Sequence, residues 1–310
     1  MIVVLGFSSG RQRSLIMRQK EMQIGEVNRF EQVIEYVGGK ALHTALAASK
    51  FHETVLVTPS GDGMNSRFME DILRSRHPNC HSRFICDSGK DVRICTTILE
   101  EAEGGGHRMT ELVEPSPAWS DSCLTSTLET VRNEMAKKEC KGLAICGSWP
   151  STVDASLFSR LAVDYGCDLL VDGLNVLPET SILKVNGDEL LKIAGLSKDS
   201  SLDSAAAKVM EKYPRLRVVG VTMGGDGGVL WERGGEGKEH VRRSYIGPEE
   251  LPKIQVKNPI GAGDTVSGVM FALLAMGVTA QEAFKKGLRA ASKSCESYYG
   301  ADFDPQNFAS

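Results

Sequence analysis

Apolar runs of strand length alternate along this chain with segments whose apolar residues recur at helical spacing. The strand-like runs cover 2–7, 54–58, 142–146, 168–171, 181–185 and 218–222. The helix-period segments cover 41–50, 65–74, 123–138, 155–165, 188–194 and 201–213. Strands joined by crossover helices predict an α/β domain, with a mainly parallel sheet covered by helices on both faces. One domain is expected over the 310 residues.

Two segments break this rhythm. Residues 14–37 and 83–113 read as antiparallel ribbon, the second turning through Gly104-Gly105-Gly106 between 92–99 and 107–113. The pattern predicts a small β-sheet lid built from about 11–37 and 83–113. Gly234-Gly235-Glu236-Gly237 reads as a short Gly-rich turn, and the chain shows no internal repeat.

A 41% hydrophobic, 25% charged composition allows a substantial core, and a formal charge of −4 argues against gripping nucleic acid or anionic membrane with the whole surface. Any phosphate binding must be local. The eight cysteines include no Cys-x-x-Cys pair and fall mostly in apolar runs, which predicts reduced buried thiols rather than zinc or disulfides. No run approaches the ~20 apolar residues of a membrane span, and strand-like sequence starts at residue 2. A cytoplasmic protein is expected.

The most informative stretch is Asn258-Pro259-Ile260-Gly261-Ala262-Gly263-Asp264, which runs into an apolar helix. Free N–H groups at such a helix start can hold a phosphate, and Asp264 either caps them or serves as a base. In Lys184-Val185-Asn186-Gly187-Asp188-Glu189, Asn186 and Glu189 are three apart. They either hold water around Mg²⁺ or form a helix capping box. Thr222-Met223-Gly224-Gly225-Asp226-Gly227 is either a polyphosphate-approaching turn or a hairpin. Gly38-Gly39-Lys40-Ala41-Leu42-His43 offers a flexible backbone and a cation before a helix, and Arg93 adds a planar fork on the lid.

In this order the segments resemble the PfkB/ribokinase carbohydrate kinase family, most closely its 1-phosphofructokinase and tagatose-6-phosphate kinase branch. Gly38-Gly39-Lys40 is similar to the diglycine signature and Asp91-Val92-Arg93-Ile94 to the lid Thr-Arg segment. Thr110-Glu111-Leu112-Val113-Glu114-Pro115 resembles Thr-Glu-Ile-Asn-Glu-Pro, and Gly147-Ser148-Trp149-Pro150 resembles Gly-Ser-Leu-Pro. Residues 184–190 resemble Lys-Pro-Asn-x-x-Glu-Leu, and 258–264 the C-terminal signature. The resemblance implies a Rossmann-like, ribokinase-like fold whose lid makes a homodimer, and phosphorylation of a sugar or sugar-phosphate hydroxyl with ATP and Mg²⁺. It assigns Asp264 as catalytic base with Gly261, Ala262 and Gly263 as anion hole. Lys184, Asn186, Glu189, Thr222, Gly224 and Gly227 fall on the nucleotide side, with Asn186 and Glu189 near the metal through water. Gly38, Gly39, Lys40, His43 and Arg93 fall on the substrate side.

Departures from the family pattern gather on the acceptor side. Relatives carry an Asp soon after the first strand, whereas residues 6–13 read Gly-Phe-Ser-Ser-Gly-Arg-Gln-Arg, without an acid before Glu21. The diglycine signature normally continues Gly-x-Asn, and here Ala41 and His43 stand instead; Cys95 occupies a common Asn position. Two readings stay open: a kinase with an unusual acceptor, or a catalytically impaired nucleotide-binding regulator or scaffold. A nicotinamide-dependent oxidoreductase is disfavoured, because residues 5–10 lack Gly-x-Gly-x-x-Gly spacing.

Overall fold

The computed structural model describes all residues except 20, 103–105, 138, 235–239 and 309–310. In chain order its elements are β1 (Ile2–Leu5), β2 (Gly10–Met17), β3 (Phe30–Gly38), α1 (Lys40–Ser49), β4 (Thr54–Gly61), α2 (Met64–Arg76), β5 (Cys80–Asp87), β6 (Arg93–Glu101), β7 (His107–Val113), α3 (Asp121–Lys137) and β8 (Gly142–Cys146). There follow α4 (Ser156–Asp164), β9 (Asp168–Asp172), β10 (Ile182–Asn186), α5 (Gly187–Ala194), α6 (Leu202–Lys212), β11 (Val218–Thr222), β12 (Gly228–Arg233), β13 (Val241–Ile246), α7 (Ala262–Ala275) and α8 (Ala280–Ser294).

Nine strands form the main sheet in the order β13-β12-β11-β10-β9-β8-β1-β4-β5. It is parallel except at one edge, where β12 and β13 run antiparallel. The central strands are apolar on both faces: Ile2, Val3, Val4 and Leu5 have no exposed surface, as befits a sheet covered by helices. α1, α7 and α8 pack in succession, and Gly268 lets α7 approach the α1 backbone so closely that a β-carbon would stand 2.2 Å from Thr44 O. A second apolar cluster joins β10 and β11 to α5 and α6.

The lid is a separate four-stranded sheet, β3-β2-β6-β7. One expectation needs correction. Arg83 and the rest of β5 belong to the edge of the main sheet, pairing in parallel with β4, so the lid's second arm starts at Arg93 rather than near residue 83. The two lid ribbons are each antiparallel, but β2 and β6 join them in parallel. Alternating apolarity marks a strand without naming its partner, which explains the misplaced β5. Of the expected 104–106 turn, Gly104 and Gly105 lie outside the described residues, as do 235–237 of the later Gly-rich turn. Helix α8 and strand β13 are additions to the expected elements.

The cysteines are all free thiols; six are buried as expected, whereas Cys167 is half-buried and Cys86 exposed. Among the described residues no helix is long and apolar enough to cross a membrane.

Candidate active site

The carboxyl ends of β1, β8, β9, β10 and β11 open toward the lid side of the sheet and the start of α7, the usual ligand position in an open α/β sheet. Helix α7 is preceded by Gly261, whose φ of 78° is left-handed and whose missing β-carbon would stand 2.6 Å from His43 Nδ1. Glycine is therefore required twice over. No side chain caps this helix. The Ala262 N–H donates to Pro259 O at 3.2 Å, so the donors left for an anion come from the residues around it, notably Gly263 and Asp264.

Asp264 stands in the first turn of α7 with its side chain 13% exposed. Its Oδ2 lies 3.1 Å from His43 Nδ1, and Thr44 Oγ1 donates to its backbone carbonyl at 3.4 Å. It does not cap its own helix, so the capping alternative falls away.

Behind α7 lies a charge cluster centred on Asp172, the last residue of β9, which is wholly buried. Lys40 Nζ donates to its Oδ1 at 2.8 Å, Lys184 Nζ to its Oδ2 at 3.3 Å, and Ser267 Oγ also donates to Oδ2. Burial alone would raise the Asp172 carboxyl; the two ammonium groups and Ser267 overcome it and hold the group well below the usual range. Lys40 shows the mirror effect: burial pulls it down, but Asp172, Asp264 and Glu189 pull it above an ordinary lysine. Lys184 is 3% exposed, and its Nζ is 2.9 Å from where a β-carbon on Gly263 would be. Its charge thus sits directly beneath the start of α7.

Asn186 and Glu189 form a complete capping box on α5. The Glu189 N–H donates to Asn186 Oδ1 at 2.8 Å and the Asn186 N–H to Glu189 Oε2 at 3.0 Å. The second carboxylate oxygen, Oε1, faces Lys40 Nζ at 3.4 Å. Among the described residues no cluster of three His, Cys, Asp or Glu side chains is built to ligate a metal directly. Both Glu189 oxygens thus have a partner, the Lys40 contact being the longer, and a Mg²⁺ ion here would be held through its own waters.

Two cavities flank this centre. The larger, about 470 Å³, is lined by Thr222, Gly224, Gly225, Ala262 and Gly263 and by apolar Leu251, Val256 and Leu288. The smaller, about 190 Å³, is lined by Ser8, Ser9, Lys40, Arg93 and Ser148. Arg93 and Lys40 therefore share one pocket. Arg93 Nε is buried without a partner, and its Nη1 makes only a long 3.5 Å bond to Glu114 O. Arg11 and Arg13 are spent elsewhere, both on Glu35, with Arg11 also over the Phe68 ring. Gly38 and Gly39 form the joint between lid strand β3 and α1. Gly227 does not line the larger cavity; its backbone instead passes close to Ile246 O in the hairpin to β12.

Residues 165–307 match the model of the pfkB family carbohydrate kinases. That segment is similar to the PfkB-family carbohydrate kinases. Its fold is similar to that of phosphofructokinase-2 from Escherichia coli, solved with substrates and products, at 19% identity over 95% of this chain and 92% of that one, with a TM-score of 0.79. It is likewise similar to Arabidopsis thaliana ribokinase, solved with ribose and ATP, at 18% identity over 97% and 94% of the two chains, with a TM-score of 0.71. These likenesses show the ribokinase-like fold expected from the sequence.

The PfkB match spans Asp172, residues 184–190, Thr222 and residues 258–264, and leaves out residues 38–43 and Arg93. Sequence reasoning missed Asp172 and Ser267, the hub that ties both lysines to α7. The usable signal was an acid ending an apolar run, Leu169-Leu170-Val171-Asp172, where a buried charge demands partners.

Proposed function

We propose that this protein transfers the γ-phosphoryl group of ATP to a hydroxyl of a small sugar phosphate, with Asp264 as the base. The observation that carries the reading is Asp264 in the uncapped first turn of α7, with Ala262 and Gly263 of that turn lining the larger cavity and Lys40, whose charge acts on Asp264, lining the smaller. The larger cavity suits ATP: apolar residues for the base, and Thr222, Gly224 and the α7 N-terminus for the phosphates. Glu189 and Asn186 would hold Mg²⁺ through water, an ion that supplies charge neutralisation between phosphates.

In the proposed step the acceptor oxygen forms a bond to the γ-phosphorus while the bond from that phosphorus to the ADP oxygen breaks. The hydroxyl proton passes to Asp264, and ADP leaves with the bond's electron pair. Donors at the α7 N-terminus, with Lys184 beneath them, stabilise the equatorial oxygens. Arg93, with its unpartnered Nε, supports an acceptor that is already anionic, and Ser8, Ser9 and Ser148 are placed for its hydroxyls in lieu of a carboxylate.

A panel of sugar phosphates, free sugars and nucleosides, assayed with ATP and Mg²⁺ for ADP release above the acceptor-free rate, tests this. Phosphorylated acceptors should turn over, and Asp264→Asn should lose on the order of 10²–10⁴-fold in kcat. ATP binding without transfer to any acceptor would favour the regulator reading, which the missing N-terminal acid motivates.

We further propose a dimer through the lid. Strand register aligns Val33, Leu15 and Ile98 across one face, with Leu112 beside them, and Val33 and Leu112 are about half exposed. A second copy packing on this row would cover it. Among structural neighbours, Escherichia coli phosphofructokinase-2 has a tetrameric inhibited form.

A further inference from the structure

His43 stands in α1 at 2% exposure, with the Tyr36 ring stacked on it at a centroid distance of 6.4 Å. Its Nε2 is 3.1 Å from the carbonyl oxygen of Val37, and its Nδ1 is 3.1 Å from Asp264 Oδ2. A carbonyl oxygen and an ionised carboxylate oxygen can only accept. A neutral imidazole has one N–H and one lone pair, so one of these contacts would set lone pair against lone pair inside the protein, where such a clash is expensive. Two acceptors on one ring call for two ring protons.

We propose that His43 is a doubly protonated positioning residue that clamps Oδ2 of Asp264 through the proton on Nδ1, leaving Oδ1 to meet the acceptor hydroxyl. This rests on Asp264 being the base. The clamp's proton is not transferred in the reaction; it stays on Nδ1 while Oδ1 takes the proton of the substrate. Among the described residues no side chain engages Oδ1, whereas Oδ2 is held. A second consequence lies in what His43 joins. Val37 is the next-to-last residue of lid strand β3, directly before the Gly38-Gly39 joint, so a single ring spans from the lid to the carboxylate on α7.

The surroundings include charge of both signs. Lys40, with its ammonium on Asp172, acts on Asp264 from α1, and Lys184 lies beneath Gly263 from β10. Glu111 on lid strand β7 feels both members of the pair; its carboxyl is pushed up mainly by burial and also by Asp264, with Arg93 and His43 acting the other way. Glu111 and Asp264 thus both favour a cationic ring, while Lys40 and Lys184 oppose it and Asp172 offsets them.

The test uses the full chain, ¹⁵N-labelled at histidine, without any ligand at pH 7. There are six histidines, and the His43 signals are found by difference from His43→Asn. Both ring nitrogens should resonate as N–H. In Asp264→Asn, Nδ1 should lose its proton and shift to the lone-pair range. An Nδ1 already in that range in the unmodified protein overturns the proposal. The kinetic arm compares His43→Leu, which removes both donors, with His43→Asn, whose amide can donate to Oδ2 without titrating. His43→Leu should lose on the order of 10- to 100-fold in kcat, with KM for ATP within about twofold, and His43→Asn should recover most of it. Turnover of His43→Leu equal to the unmodified protein would also sink the clamp. The two readings fail separately: a protonated ring with no transfer to any acceptor removes the kinase reading alone, and transfer with a singly protonated ring removes the clamp alone.

Discussion

At the residue scale the governing fact is that charge is buried here in compensated groups. Asp172 has no exposed surface and still carries two lysines and a serine. Removing its charge leaves two ammonium groups facing each other, and breaking a buried ion pair from one side costs about 3–5 kcal/mol. Asp172→Asn should therefore lower the urea midpoint sharply and abolish transfer, whereas an exposed substitution such as Asp199→Asn should do neither. Gly261→Ala should also cripple the site, because alanine meets both a left-handed φ and the His43 ring. Loss of transfer with little loss of ATP binding is the expected pattern, read by turnover and calorimetry.

Caps decide more than motifs do at the element scale. The Asn186/Glu189 pair reads in sequence as either metal-side oxygens or a capping box; the box is present, with one Glu189 oxygen left toward Lys40. Asn186→Ala should cost about 1 kcal/mol through the lost cap, seen as a fall in Tm. A larger loss in transfer than that fall explains would support the proposed Mg²⁺ role. Asp91 tells a parallel story. It lies in a segment resembling a lid signature, but it accepts from the N–H groups of Asn65 and Ser66, from Ser66 Oγ and from the Val92 N–H, and so anchors α2. Asp91→Ala should destabilise by about 1–2 kcal/mol without direct effect on substrate.

For the whole molecule, the depressed carboxyls set the acid limit. Burial acts against the charged forms of both Asp172 and Asp91, but ion pairs and hydrogen bonds win, so both lie below the ordinary carboxylate range. A group lowered on folding contributes stability that is complete above its unfolded pKa, about 4, and is lost as pH falls through its native value. The urea midpoint should thus hold from pH 7 to about 5 and fall below about 4; a midpoint rising on acidification would contradict this pairing. Lid-mediated association is the other prediction at this scale. Leu15→Lys with Val33→Lys should yield a monomer by sedimentation while leaving the α7 region unchanged, since exposed Val33 and half-buried Leu15 are paired on that lid row, away from α7 in sequence.

The chain alone determined the alternation of strand and helix, the presence of a lid, the glycine-rich start of α7 and the identity of Asp264, Lys40 and Arg93 as candidate chemistry. These are local: periodicity, glycine at a turn and a charged side chain beside it require no knowledge of distant partners. Only the tertiary structure decided that residues 83–87 join the main sheet, that Lys184 is bound to a buried Asp172, that Arg11 and Arg13 are spent on Glu35, and that His43 faces two acceptors 221 residues and 6 residues away. Strand partners and buried ion pairs are fixed by which surfaces meet when the sheet closes, and nothing in the spacing along the chain encodes that meeting.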